Sequence, residues 1–577
     1  MTKSLIAGFS GFVFLMFTLW WAFFDLDIHV WHRLFYPLFP LNERVDTLLA
    51  LISSQSLAHF DWFPFLGIKS SSLGAPFGMD LREFPGGDNI TTTLWAPLAW
   101  LSHNAFFTIN SYFILTYCLT WFSFFLLCRH FRLHPIISSA MAILYSLLPY
   151  HFIRYHHIIQ AAYFLIPFCV YTLLKLSKRN VVWHQFKPDS IKQFVSEPMV
   201  LCSALFGCYG VYHAFFYLYF LFIYGAFSSA FYRTKKHFLI ALRLMAVTLI
   251  FLFIFLIPTL CNWHSYGKNR IPIARSKTEA EVFGLKLINL IEPTKGNRFV
   301  FLDKLQTHYP KLGIEGENES LGLMGGIGFF IMLYYGIRFS RRKTNTLHRL
   351  SLLLSSAFLL GTVGGVGDMI SFFLFPLIRS YNRVSIFIAT GSFLGLSILF
   401  QGLGRRLKWG RSFWLLFGTC FIVSLIDSTP TTMRFSDVGE KSYVNEHPFF
   451  ERIQSLLPKG AMVLELPYVP FPEGAIDGML NGYEELIPYL HTQTLRYSHG
   501  IIKGRKTATL IQSLSSDLLT SGTNTFLKIK ELGYQGVYIF RKGYKDHGKK
   551  IENEFTQLTA ELPIVSPNGE NSFFVIQ

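Results

Sequence analysis

Residues 5–24 read LIAGFSGFVFLMFTLWWAFF and carry no charge. Crossing a hydrocarbon core takes about twenty mostly apolar residues in a helix, and this run has that length. It follows Met1-Thr2-Lys3 and could pass for a secretory signal. However, it is longer than a signal core, and no small-x-small cleavage site follows it. Asp25-Leu26-Asp27 and a bulky aromatic stretch come next instead. The run is read as a retained first spanning helix that enters from the cytoplasm.

Working outward, similar runs occupy residues 111–128, 136–150, 158–176, 199–213, 214–231, 238–260, 321–337, 348–366, 383–402 and 412–427. Together they predict about eleven membrane-spanning helices. Composition agrees: of 577 residues, 51% are hydrophobic and only 15% charged, where a soluble chain carries roughly a quarter charged. With 61 Phe, there is more apolar surface than one or two cores can hide.

The net charge of +17 raises the question of nucleic acid, but the placement of the cations argues against it. With Met1 cytoplasmic, the inner connections hold Arg129 and Arg132, the stretch Lys175 to Lys192, Arg233-Thr234-Lys235-Lys236, the stretch Arg338 to Lys343, and Arg405-Arg406-Leu407-Lys408 with Arg411. Every even-numbered exit is basic, as the positive-inside rule requires. These cations are orientation signals, and nucleic acid is not an expected partner.

An odd number of spans places residues 428–577 outside. The expected division is a transmembrane domain over 1–427, with outer loops 25–110 and 262–320, and a small extracytoplasmic α/β domain over 428–577. Short strand-like stretches, Ala461 to Leu466, Gly536 to Phe540 and Ser572 to Gln577, alternate with helical ones in that tail. Two apolar stretches do not fit as spans. Counting Thr93 to Phe107 would reverse every later loop, and Pro97 with Trp95 and Trp100 suits an interfacial or re-entrant helix. Ile370 to Leu377 is too short and contains Pro376. The seven cysteines lie in or beside apolar runs with no CxxC, so neither a disulfide framework nor a zinc site is expected.

Carboxylates are almost absent from the spans and collect in the outer segments. Ion-coupled transporters usually keep ionisable groups at mid-membrane depth, so the pattern favours chemistry at the outer interface. In the first loop, Glu43 and Asp46 stand three apart, one face of a helical turn. Such a pair can bind a divalent cation or take a proton from a hydroxyl; a solvated helix N-terminus is the plainer alternative. Gly74 to Asp80 and Gly86-Gly87-Asp88-Asn89 mark turns in a long loop. His151 to His157, with Arg154, His156 and His157, has the donors to grip a phosphate. Interfacial snorkelling is the alternative there. Lys268, Arg270, Arg275, Arg379 and Arg383 add outer cations, which run against the orientation rule and so ask for an anionic partner. Asn89-Ile90-Thr91 and Asn318-Glu319-Ser320 match glycosylation acceptors. No P-loop, HExxH or GxSxG occurs.

This arrangement resembles the GT-C superfamily of membrane glycosyltransferases, and within it a broad group of bacterial polytopic membrane proteins. The likeness rests on Glu43 with Asp46, Pro76-Phe77-Gly78, Trp95-Ala96-Pro97-Leu98 and Pro149-Tyr150 through His156. It extends to Ser380-Tyr381-Asn382-Arg383-Val384-Ser385 and Leu464-Glu465-Leu466-Pro467. The group's Gly-Asp acidic motif is Asn42-Glu43 here. The resemblance implies a hexosyl- or pentosyltransferase in the bacterial inner membrane. Such an enzyme moves a sugar from a polyprenyl-phosphate-linked donor to an envelope glycan, lipid or protein acceptor on the outer face. In that scheme Asp46, or Glu43, is the general base, and Arg154, His156, His157, Arg270 and Arg383 hold the donor phosphate. A divalent cation, Mg2+ or Mn2+, is left open. The competing readings are a flippase or transporter for a lipid-linked glycan, and a non-catalytic envelope assembly protein.

Overall fold

The protein is described from a computed structural model. It covers all residues except 1, 44–45, 84–87, 182–196, 273, 309–318, 339–344, 477, 493 and 577, and omits the side chains of 2–3. The Gly86-Gly87 pair, Lys187, Lys192, Arg341-Arg342-Lys343 and Asn318 therefore lie outside the described residues.

Among the described residues, six helices are long and apolar enough to cross a membrane: Ser4–Phe24, Ala105–His130, Pro135–Ala161, Val211–Tyr232, Lys236–Tyr266 and Tyr381–Arg406. A seventh is reached if Arg411–Asp427 and Thr431–Leu456, bent by 58°, count as one span. The chain is an integral membrane protein. The expected count of about eleven is not met by this measure. Four of the expected runs are shorter apolar helices, Ile166–Leu176, Pro198–Cys208, Gly322–Ile337 and Thr346–Gly361. Local breaks explain part of this. The run at 158–176 stops after Ala161 and restarts with Pro167 in a first turn, and the run at 199–213 is cut at Gly210, whose φ is +78°.

The chain forms two compact units. One comprises Met1–Asp27, Phe113–Phe255 and Arg275–Phe435; the other comprises Ile28–Tyr112, Leu256–Ala274 and Ser436–Gln577. The first is helical. Gly322–Ile337, Thr346–Gly361 and Ser385–Arg406 pack against one another through small residues. A Cβ on Gly328 would lie 2.9 Å from both Leu396 Cδ1 and the Ser392 carbonyl oxygen. Gly391 lies against Leu354 and Gly395 against Met332. Lipid offers no hydrophobic drive to pair helices, so close backbone approach supplies the packing.

The second unit contains the strands. β1 (Lys69–Ser70) pairs with β2 (Met79–Asp80), and β4 (Ala475–Ile476) with β5 (Leu480–Asn481), both antiparallel. The main sheet has the order β6-β3-β7-β9-β8, from β3 (Met462–Leu466), β6 (Arg496–Tyr497), β7 (Tyr534–Phe540), β8 (Ile564–Val565) and β9 (Asn571–Val575). β6, β3 and β7 run parallel, while β9 is antiparallel to β7 and β8. The helices Lys506–Asp517, Gly522–Glu531 and Lys549–Thr559 bury Ile511, Ile529 and Phe555 with Leu464, Val537 and Phe574 of the sheet. β3 is buried at four of its five positions, as a strand covered on both faces must be.

The first loop is built into this sheet. Leu73 bridges Tyr497 in parallel. Tyr497 N–H donates to the Ser72 carbonyl at 2.8 Å, Ala75 N–H to Tyr497 at 2.8 Å and Gly74 N–H to His499 at 2.7 Å. Gly74 has φ +71°, and a Cβ there would meet the Gly78 carbonyl at 2.7 Å, so only glycine fits this return. The compact unit is thus wider than the tail at 428–577, because loop and tail share one hydrogen-bonded edge.

Candidate functional site: a cationic cluster at a helical turn

Pro149 opens a short helix, Pro149–Ile153, where its fixed φ and missing N–H cost nothing. A 3-10 turn, Arg154–His157, follows. His151 is built into the core: it stacks on Tyr117 with ring centroids 3.6 Å apart, its Nε2 lies 2.8 Å from Thr116 Oγ1, and its Nδ1 lies 3.0 Å from the Ser146 carbonyl. Arg154, His156 and His157 are left to form the cluster.

Arg154 is fully buried. Its guanidinium lies 5.0 Å from the Tyr150 ring centroid, and Nη2 donates to Glu319 Oε1 at 3.4 Å. Asn382 Nδ2 donates to the same oxygen at 2.7 Å. The turn Tyr381–Val384 places Arg383 beside this group, buried, with its guanidinium 4.5 Å above the Tyr212 ring. Arg383 Nε has no hydrogen-bond partner among the described residues. Arg379 Nη1 donates to Glu279 Oε2 at 3.0 Å. Burial pushes the Glu279 carboxyl up, but the Ser276 N–H and Arg379 outweigh it and hold the carboxyl below its ordinary range.

The charges of His156, Arg383, Arg154 and Arg379 all act on His157. Three arginines and two histidines thus share one neighbourhood, with Glu279 and Glu319 as the carboxylates hydrogen-bonded to it. An anion with several acceptor oxygens matches such a donor set.

The other expected site residues lie in the second unit. Asp46 is exposed and begins the helix Asp46–Ala58, and Glu43 is exposed in the preceding turn. Residues 44 and 45, which separate the two, lie outside the described residues. Glu43 N–H donates back to the Pro40 carbonyl at 3.1 Å. Arg270 is exposed beyond the helix Lys236–Tyr266. Trp95, expected at an interface, is buried with its ring 5.9 Å from that of Tyr112. Sequence reading missed Glu319 and Asn382 as partners, because nothing local distinguishes a buried carboxylate from an exposed one. Among the described residues no three His, Cys, Asp or Glu side chains converge as metal ligands.

Fold and site together define a polytopic membrane protein with a buried cationic cluster at a helical turn. The chain belongs to the family described as Domain of unknown function (DUF6311), whose model matches residues 90–391, just over half its length. No curated protein matches the sequence. Among solved structures it is similar to the oligosaccharyltransferase AglB of Archaeoglobus fulgidus in complex with an inhibitory peptide and a dolichol-phosphate. That match has TM-score 0.48 and 11% identity, and covers 99% of this chain and 74% of that one. It is similar also to ArnT of Cupriavidus metallidurans bound to undecaprenyl phosphate, with TM-score 0.47, 11% identity, and coverage of 91% and 92%. A third is the arabinofuranosyltransferase AftD from Mycobacteria, with TM-score 0.40, 14% identity, and coverage of 88% and 36%.

Proposed function

We propose that this protein is a GT-C-type glycosyltransferase of the bacterial inner membrane. It moves a sugar from a polyprenyl-phosphate-linked donor to an envelope glycan, lipid or protein acceptor on the outer face. The observation that carries this reading is the gathering of His156, Arg154, Arg379 and Arg383 near His157, a donor set suited to phosphate oxygens. Arg154, engaged by Glu319, contributes charge rather than direct contact. Arg383 and His157 contact the phosphate. Arg270 is a further cation for the donor.

In the reaction, the Asp46 carboxylate accepts the proton of the acceptor hydroxyl, with Glu43 as the alternative base. The acceptor oxygen bonds to the anomeric carbon as the bond from that carbon to the phosphate oxygen breaks. The electron pair leaves with polyprenyl phosphate, whose developing charge the cations stabilise.

The test uses a deletion strain complemented with wild type or with Glu43→Ala/Asp46→Ala at equal membrane expression. Lipid-linked and surface glycans are profiled by mass spectrometry. Loss of one sugar in both the deletion and the double variant, with accumulation of its donor, is the expected result. A deletion phenotype that the double variant fully rescues overturns the transferase reading and moves translocation or assembly ahead.

A further inference from the structure

The second unit exposes an aromatic surface that the reaction does not use. The turn after the helix Asp46–Ala58 presents Phe60, Phe63, Phe65 and Leu66, all exposed. Beside it, the helix Asn89–Ser102 contains no charged residue and leaves Leu101 84% exposed. The two segments are locked together. Trp100 Nε1 donates to the Leu57 carbonyl at 3.2 Å, and Phe65 N–H donates to Asn89 Oδ1 at 3.1 Å. The Trp100 ring stacks on Phe60 at 6.1 Å and 11°, and lies 6.1 Å from Phe63. The one carboxylate in the turn, Asp61, is drawn off by the Ser71 N–H and hydroxyl.

Soluble surfaces rarely leave so contiguous an apolar patch uncovered. What covers this one follows from chain continuity. Only His103 and Asn104 separate the helix Asn89–Ser102 from the spanning helix Ala105–His130, and His103, at φ +48°, ends the first of them. At the other end of the patch, a Cβ on Gly67 would lie 3.4 Å from Pro258 of the spanning helix Lys236–Tyr266. The surface thus adjoins the start of one spanning helix and the last turns of another, and aromatic rings with a polar edge partition to the membrane–water boundary where such helices leave the hydrocarbon.

We propose that Phe60, Phe63, Phe65, Leu66, Trp100 and Leu101 form a membrane-immersed platform, whose partner is the lipid of the leaflet at those helix ends. The platform holds the loop that carries Glu43 and Asp46 against the interface, and it needs no transfer activity to be true.

The experiment is footprinting of the full-length wild-type chain in phosphatidylethanolamine–phosphatidylglycerol vesicles, read by peptide mass spectrometry. A membrane-soluble aryl diazirine is photolysed in one arm, and aqueous hydroxyl radicals are generated in the other. Leu562, 81% exposed in the tail, is the reference. The diazirine is expected to tag residues 60–66 and 100–101 at least tenfold more than Leu562, with hydroxyl radicals sparing Phe60, Phe63 and Trp100 in the same vesicles. Oxidation of those three rings at the rate expected of freely exposed aromatics, with no more diazirine tagging than Leu562, overturns the proposal. The surface would then face water or a protein absent from the vesicles.

Discussion

The Arg154 guanidinium and the Glu319 carboxylate meet at 3.4 Å, 165 residues apart in sequence and both fully shielded from solvent. Neither group is tolerable there alone, because a buried charge without its partner retains its whole desolvation cost. The pair ties the turn after Pro149 to the segment leading into the helix Gly322–Ile337, and Asn382 joins it.

Glu319→Ala is therefore expected to destabilise the protein by about 3–5 kcal/mol. Arg154→Met/Glu319→Leu is expected to cost less than either single change. Thermal unfolding of the detergent-solubilised protein measures this directly. A double variant weaker than both singles would show that the pair itself is not the source of the cost.

Arg383→Ala is expected to weaken binding of undecaprenyl phosphate by roughly tenfold to a hundredfold, the worth of a hydrogen bond to a charged group. Membrane expression should stay unchanged. Arg383→Lys keeps charge but not the fork, and is expected to recover only part of the affinity. Titration of the purified protein with the lipid phosphate gives both values.

The second unit should lose stability as pH rises. Burial, followed by Glu570, pushes the Glu446 carboxyl up to about 7, and burial with Glu485 holds Glu465 well above its ordinary range. Each folded value exceeds the unfolded one, so folding takes up a proton. That contribution is full below the unfolded value, about 4.3, and is lost as pH rises through the folded value. For Glu446 the loss centres near pH 7. Glu446→Gln should flatten the melting temperature between pH 5 and 9, where wild type declines.

Tyr534→Phe removes the hydroxyl that donates to the Ala75 carbonyl at 2.6 Å. Leaving that buried acceptor unpaired is expected to cost about 1–3 kcal/mol. By the same argument, residues 436–577 expressed alone should show a less cooperative unfolding transition than the full chain, since the edge provided by residues 72–75 is missing. A tail that melts as sharply alone would show that the loop is dispensable.

Gly328→Leu is expected to destabilise the first unit by about 1–3 kcal/mol through overpacking, because a Cβ already meets Leu396 and the Ser392 carbonyl at 2.9 Å. Gly402→Leu, with open space around it, is the control.

What could be read from residue order were the properties that add up locally. Membrane solubility follows from runs such as 5–24 and 383–402, since hydrocarbon transfer is a sum over neighbours in one helix. The cationic turn was legible for the same reason, because Arg154, His156 and His157 lie within one short segment after Pro149-Tyr150. Span length was less legible, since the breaks after Ala161 and at Gly210 interrupt helices inside apolar runs that composition alone reads as continuous.

Only the tertiary structure decided which distant groups meet. It placed Glu319 and Asn382 on Arg154, set residues 72–75 along β6, and turned Trp95 inward while leaving Trp100 at the surface. None of these is a property of a window of sequence. A buried ion pair, an added sheet edge or the exposed face of an uncharged helix exists only once the chain has closed loops of tens to hundreds of residues. The energies that select those closures are differences in burial and hydrogen bonding between whole packed arrangements.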